Sequence, residues 1–312
     1  MIVSPLKWTN HVLGLWKLIR IFPVLCWGGG AVLLGASTSF AYFGLLFPWQ
    51  TSIFALLAVL LLQGIAAHAL NDYEDWKSGT DKSSPGILSG GSGVLRLNLL
   101  TQGHLLYLHR LSLGLSIALT SYLCYRYTNM HLFAFLLVGL WAAVAYTCSP
   151  FRLSYRPLLG EWLAAWPAMV ACTTGTTFLV MGTIPAISWW AGVVHATISI
   201  AWLMQHHLPD IPADLTAKPP KNTTVAYLCA RWGWRYVTMP GAIYFFFVVV
   251  LGFMALPLHN GFAFSILAGL LGMILSLTTD PGNLSDVTRK QLGMMTISCL
   301  HFCLLSLWFV YY

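Results

Sequence analysis

The chain has 312 residues, 58% of them hydrophobic and only 8% charged, against roughly 25% charged in an ordinary globular domain. Its mean hydropathy is +0.73. Too little polar material remains to face water, which excludes a soluble enzyme, a disordered chain and, despite a formal net charge of +7, a nucleic-acid reader. An integral membrane protein remains, and every charge in it is a costly choice. The nine acids are Asp72, Glu74, Asp75, Asp81, Glu161, Asp210, Asp214, Asp280 and Asp286.

Apolar runs near the ~20 residues that cross a bilayer recur along the whole chain. Nine are predicted, over 23–46, 51–71, 104–125, 130–147, 161–182, 187–208, 236–256, 261–279 and 291–311. Turn-forming residues punctuate them, among them Phe47-Pro48, Ser149-Pro150, Pro185, Leu256-Pro257 and Asp280-Pro281-Gly282. The runs are too long for barrel strands of ~10 residues and do not alternate, so the spanning element is a helix. The expected fold class is all-α, a polytopic membrane protein of nine helices forming one domain over 1–312. Basic residues orient it. Lys7, Lys17 and Arg20 precede the first run, Lys77, Lys82 and Arg96 follow the second, and Arg152 and Arg156 follow the fourth. Lys218, Lys221, Arg231 and Arg235 follow the sixth, and Arg289 and Lys290 the eighth, so 14 of 16 basic residues fall on one side. The positive-inside rule makes that side, with the N-terminus, cytoplasmic and the C-terminus external.

The apolar stretch after Arg20 has the look of a signal peptide up to Ala36-Ser37, but it continues apolar and reads better as the first span. The seven cysteines form no CxxC pair, and most lie inside predicted spans, where Cys packs as a small apolar residue. Cys299 and Cys303, four apart, read as packing.

Six acids gather in two clusters. The first runs His68-Ala69-Leu70-Asn71-Asp72-Tyr73-Glu74-Asp75, then Trp76 to Asp81, at the cytoplasmic end of the second run. Asp72 and Asp75, three apart, share a helix face. Gly79 suits a helix C-cap that turns the chain and returns Asp81 toward them. The second cluster, His206-His207-Leu208-Pro209-Asp210-Ile211-Pro212-Ala213-Asp214, ends the sixth run, and a four-residue helical spacing puts Asp210 and Asp214 on one face.

The bland alternative is that these acids are solvated helix stops. Both spans, however, run from outside to inside, so the carboxylates sit near helix C-termini, where the macrodipole disfavours each by about 0.3–1 kcal/mol. Neighbouring carboxylates also repel, by about 1 kcal/mol at 4 Å in water and about 4 at an effective dielectric of ~20. A divalent cation removes both penalties. Paired oxygen ligands suit Mg²⁺, or Mn²⁺, over zinc. With Lys77, Lys82, Arg152, Lys218 and Lys221 nearby, they describe a diphosphate site at the membrane edge. Its chemistry is departure of diphosphate from a lipid-like substrate. His68, His206 and His207, one turn earlier, read as packed or hydrogen-bonded residues before metal ligands.

At these residues the chain resembles the UbiA superfamily of intramembrane prenyltransferases. Asn71-Asp72-x-x-Asp75-x5-Asp81 resembles the first aspartate motif, with the spacing of the menaquinone-type branch, the 1,4-dihydroxy-2-naphthoate prenyltransferases and their relatives. Asp210-x-x-x-Asp214 resembles the second, although the Gly-Lys-x-Thr that usually follows is replaced by Lys218-Pro219-Pro220-Lys221-Asn222-Thr223. Tyr146 to Pro150 and on to Gly160-Glu161 is similar to the family's Tyr…Pro…Gly-Glu segment, and Ser89-Gly-Gly-Ser-Gly-Val94 to the branch's glycine-rich loop. The resemblance implies nine helices around a central cavity and transfer of a prenyl group from a prenyl diphosphate to an acceptor, usually aromatic, in menaquinone biosynthesis. It implies Mg²⁺ ligands Asp72, Asp75, Asp210 and Asp214, and substrate contacts from Asn71, Asp81, Tyr146, Arg152, Lys218 and Lys221. Two rivals stand beside it. One is a related transferase with a glycerol-phosphate ether lipid or porphyrin acceptor; the other is a divalent-cation carrier, which would hold its ligands nearer mid-membrane.

Overall fold

The computed structural model describes residues 5–43, 47–86 and 88–312. Among these there is no strand, and the predicted runs are helical. Ten helices organise the chain. Two long ones, α1 (Asn10–Ala41) and α2 (Trp49–Ser78), lead into α3 (Gln102–Tyr127) and α4 (Leu132–Ala145). Next come α5 (Glu161–Met181), α6 (Ala186–Thr216), the short α7 (Thr224–Trp232) and α8 (Trp234–Ala255). The last two are α9 (Asn260–Leu277) and α10 (Leu284–Tyr311). Seven of them, all but α3, α4 and α7, are long and apolar enough to cross a membrane. The predicted count of nine is therefore carried by length and hydropathy for seven. The third run coincides with α3, which carries His109 and Arg110, and the fourth with α4, apolar but only 14 residues long. The end of the first predicted run, 44–46, lies outside the described residues.

Local chemistry sets the helix ends. Thr101 caps α3 in a reciprocal box with His104, Thr223 caps α7 by accepting from the Ala226 N–H, and Asn283 caps α10. The predicted cap at Gly79 forms: its φ is +96°, and its N–H donates to the Asp75 carbonyl. The helices widen into π-type turns at Leu25–Gly29, Leu60–Ala67 and Glu161–Ala165. The second of these immediately precedes the first acidic cluster. Such turns displace the following residues around the helix axis, which is one way a span re-aims side chains at a site.

The core is built around α6. The apolar window of this helix is 83% buried, against 33–50% in the other six spans, so it forms the centre of the bundle. It packs on α1, α5, α8 and α10 through Val194, Ile198, Ala201 and Met204, all within one buried cluster with Phe245, Phe262 and Phe302. In lipid the outer faces need no polar cover, and they present Trp49, Phe253, Leu271 and Leu307. Where α1 crosses α5, a Cβ on Gly35 would stand 2.3 Å from the Thr173 carbonyl, so only glycine allows that approach. All seven cysteines are free, and Cys299 touches Cys26 on α1 at 3.3 Å between sulfurs.

Candidate active site

The two acidic clusters meet at one end of the bundle. Asp72, Asp75, Asp81, Asp210 and Asp214 are all buried, none more than 8% exposed. Asp72 and Asp75 share the inward face of α2. Asp81 follows Gly79 on a short turn of helix, Thr80–Ser83, which returns it to the pair. Asp210 and Asp214 close the last turns of α6.

The loop at Ser89–Ser92 stitches the clusters together. Ser89 Oγ donates to Asp210 Oδ1 at 3.0 Å, and the Gly90 N–H to Asp210 Oδ2 at 3.2 Å. Ser92 donates its N–H and its hydroxyl to Asp72. Between them Gly91, at φ +75°, lies so close to Asp81 that a Cβ would stand 2.1 Å from its carboxyl oxygen. Backbone at positive φ and the absence of a side chain are both required here, which is why glycines fill the stretch.

The clusters are neutralised differently. Asp72 takes the Arg20 guanidinium at 2.6 Å. Asp75 takes the Lys221 ammonium at 2.7 Å, the Tyr155 hydroxyl at 3.1 Å and the Asn71 amide at 2.9 Å. Asp210 receives only neutral donors, the Ser84 hydroxyl among them. Asp214 Oδ2 accepts from Thr223 at 3.4 Å, and its Oδ1 is buried with no partner. Lys221 joins the sets, since its own N–H donates to the Asp214 carbonyl. Burial works against its charge, but Asp75 and Asp214, then Tyr155 and Tyr146, hold the ammonium well above its usual range. Asp81 moves the same way for the opposite reason: burial, then the charges of Asp75 and Asp72, push its carboxyl well above the usual value. Burial and the Asp75 charge likewise push the Tyr155 phenol up.

A cavity of about 320 Å³ opens from this end and runs down between α1, α2, α4, α5 and α6. Asn71, Asp75, Asp81, Tyr146, Asp210 and Lys221 line its mouth. Arg152 lies outside the lining, paired with Glu74 at 3.3 Å, and Lys218 is exposed, its N–H donating to the Ser78 carbonyl. Of the two lysines after the second cluster, Lys221 is thus the one among the acids. His68 bonds the Ile19 carbonyl and His206 the Gln291 amide, the packed roles expected of them. Glu161 is buried on the Thr224 hydroxyl at 2.6 Å, while Asp286 pairs with Arg289 and accepts from the Asp280 N–H in the α9–α10 turn. Sequence reasoning missed Arg20, Tyr155 and the hydroxyls of Ser84, Ser89 and Ser92. A topological role accounts for Arg20 in the sequence, where it lies three residues before the first predicted run. Ser89 and Ser92 sit in a stretch whose glycines carry its sequence signal, and Ser84 precedes it.

The donor set fits a hard divalent cation. Five buried carboxylates meet two cations, Arg20 and Lys221, and one carboxyl oxygen lacks any partner. Among the described residues no three His, Cys, Asp or Glu side chains stand at mutual ligand distance. The protein's own cations and hydroxyls hold Asp72, Asp75 and Asp210 instead.

A family model described as the UbiA prenyltransferase family matches residues 29–300. The chain belongs to that family. It is accordingly a prenyltransferase and an integral membrane protein. A UbiA homolog from Archaeoglobus fulgidus bound to GPP and Mg²⁺ superposes with a TM-score of 0.63 at 14% identity, over 96% of this chain and 100% of that one. A second structure of a UbiA homolog from Archaeoglobus fulgidus, bound to DMAPP and Mg²⁺, gives 0.62 at 13% identity, over 93% and 99%. At that identity the likeness is one of fold, and it agrees with the all-helical architecture. No curated protein matches the chain.

Proposed function

We propose that the chain, as one domain over 1–312, transfers a prenyl group from a prenyl diphosphate to an aromatic quinone precursor, as in menaquinone biosynthesis. The proposed site is at the cytoplasmic membrane edge, with nine spans, the N-terminus inside and the C-terminus outside. The observation that carries this reading is that Asp75 and Asp81 of one cluster, Asp210 of the other, and Lys221 line the mouth of one apolar cavity, with Asp72 and Asp214 just outside its lining. Such a mouth suits a molecule with an anionic head and a hydrocarbon tail. The homologs' bound GPP, DMAPP and Mg²⁺ are of that chemistry. The aromatic acceptor and the menaquinone-type branch rest on the Asn71–Asp81 spacing and the glycine-rich loop.

Asp72, Asp75, Asp210 and Asp214, with Asp81 beside them, would hold Mg²⁺. Bound there, the ion would neutralise charge building on the departing diphosphate. The residues' own work is to position and to exclude. Lys221, kept charged by the acids around it, lends a fixed positive charge to the leaving group. Asn71 and Tyr146 offer hydrogen bonds at the cavity mouth, while Arg152 and Lys218 attract the incoming diphosphate at the rim. Below the mouth, Ala165, Met169 and Leu203 keep water from the allylic cation left when the carbon–oxygen bond breaks. The cation is then attacked by the acceptor ring, which restores its aromaticity by losing a proton to the departed diphosphate.

The direct test incubates membranes containing the protein with labelled prenyl diphosphate, Mg²⁺ and 1,4-dihydroxy-2-naphthoate. Prenylated product that disappears with chelator and in Asp72→Asn and Asp210→Asn variants is expected. Diphosphate release that persists in both variants would overturn the site. Product formed only from a glycerol-phosphate or porphyrin acceptor would overturn the aromatic assignment.

A further inference from the structure

Beyond the acids the chain runs outward along α7, and this short helix has two unlike faces. Its Val225, Ala226 and Cys229 pack into the main buried cluster. Tyr227 and Arg231, four apart on the opposite face, are exposed. At Gly233, φ +88°, the chain turns, and Trp234 begins α8, which enters the membrane. The stretch from Tyr227 to Tyr236 therefore lies where water meets lipid. Trp232 is 61% exposed there, and Trp234 and Tyr236 are exposed beside it, the ring types that settle at headgroup depth.

Charge marks the same stretch. At this end of the bundle Arg20, Arg152, Lys221 and Arg289 are each paired with an acid of the chain. Arg231 and Arg235 are exposed, and among the described residues neither pairs with an acid. Arg231, in the last turn of α7, gains from the helix dipole. Arg235 stands in the first turn of α8, where the dipole opposes a cation. An anion from outside offsets that opposition, because a helix N-terminus attracts it and a guanidinium binds phosphate through two parallel hydrogen bonds.

We infer that the aromatic and basic surface from Tyr227 to Tyr236 binds the headgroups of anionic phospholipids, with Arg231 and Arg235 on the phosphates and the rings in the interface beside them. The surface is joined to the site. Thr223 caps α7 and donates to Asp214, and Thr224 donates to Glu161. A lipid that holds one end of this nine-residue helix steadies the residues that follow Lys221 at the other.

The experiment places full-length protein in phosphatidylcholine nanodiscs with a trace of photoactivatable phosphatidylglycerol or, in parallel, photoactivatable phosphatidylcholine. Labelled peptides are mapped by mass spectrometry while unlabelled phosphatidylglycerol is titrated into the disc. Only the anionic probe should label the Tyr227–Tyr236 segment, and phosphatidylglycerol should displace it to saturation. Arg231→Gln and Arg235→Gln should each weaken the apparent affinity about fivefold, the scale for one basic residue at an anionic surface, and the double variant more than about tenfold. The double Lys variant should keep most of the affinity. Arg289→Gln, whose arginine is already held by Asp286, should leave it unchanged. Tm should rise with the phosphatidylglycerol fraction in the wild type and not in the double Gln variant. Equal labelling by both probes, or labelling undiminished in the double Gln variant, overturns the proposal. So does an equal loss in Arg289→Gln, which reduces the effect to general surface charge. Full competition by inorganic phosphate, or competition by a prenyl diphosphate stronger than by phosphatidylglycerol, assigns the surface to a free ion or to donor capture and overturns lipid binding. Labelling needs neither Mg²⁺ nor donor, so its outcome is independent of the transfer reaction.

Discussion

The ends of α2 and α6 solve one problem in two ways. Each places two aspartates at the C-terminal end of a span, where the helix dipole opposes them. On α2 the charges are met by charges, Arg20 on Asp72 and Lys221 on Asp75. On α6 they are met by dipoles, with hydroxyls and a backbone N–H on Asp210 and a single long hydroxyl contact on Asp214. Ion pairs neutralise a site before any ligand arrives, whereas dipoles stabilise an anion and leave its charge in place. The α6 pair is therefore the half of the site with carboxyl oxygens still to offer a ligand, and the α2 pair the half already committed to direct ion pairs.

That difference can be broken from either side. The largest effect should come from Asp214→Asn, which removes a carboxylate with a buried, unpartnered oxygen. Transfer should fall by about 10²–10³, the usual loss for a group acting on developing charge, with little change in thermal stability. A large fall in Tm with activity retained would show that Asp214 serves the fold. Removal of divalent metal with EDTA should match this loss in the wild type and add nothing further in the variant. Lys221→Met should lose stability as well as activity. It strips the cation from buried Asp75, and breaking such a pair costs about 3–5 kcal/mol, so chemical denaturation should show a large loss of stability. Because Lys221 is held above its ordinary pKa, its contribution is complete below the unfolded value and is lost only as pH rises through the higher folded one. Wild-type stability should therefore decline on the alkaline side, and the decline should be absent from Lys221→Met. Smaller again, Ser89→Ala should remove one neutral donor from Asp210, at about 1–3 kcal/mol.

How much of this the sequence disclosed depends on the range of the interaction. Helices, their caps and the pairing of Asp72 with Asp75 follow from neighbours within one or two turns, so Gly79 and the acid spacings were readable directly. Asp210 on α6 and Ser84, Ser89 and Gly90 in the α2–α3 loop are over 100 residues apart, and only the packed bundle joins them. The choice between Lys218 and Lys221 is of the same kind. Both are basic and both follow the motif, yet the chain turns at Pro219-Pro220 and buries only the second. Arg20 was hidden by its ordinary reading, since a basic residue before a first span already has a topological reason to exist.

The smallest effect tests the edge of the site. Arg152 pairs with Glu74 at 3.3 Å, and its side chain is 32% exposed. With Arg152 about a third exposed and Glu74 only 11%, the pair contributes about 1 kcal/mol, so Arg152→Ala should lower Tm only slightly. The guanidinium also lies over the Tyr155 ring, 5.5 Å from its centre, and Tyr155 in turn bonds Asp75. If Arg152 only steers diphosphate toward the mouth, its loss should raise KM several-fold, leave kcat unchanged and weaken the dependence of KM on salt, as expected for a screened charge. If it acts through Tyr155 on Asp75, kcat should fall and the salt dependence should survive. Comparing KM and kcat at two ionic strengths separates the two, and it decides whether the charge-paired half of the site extends beyond Lys221 to the rim.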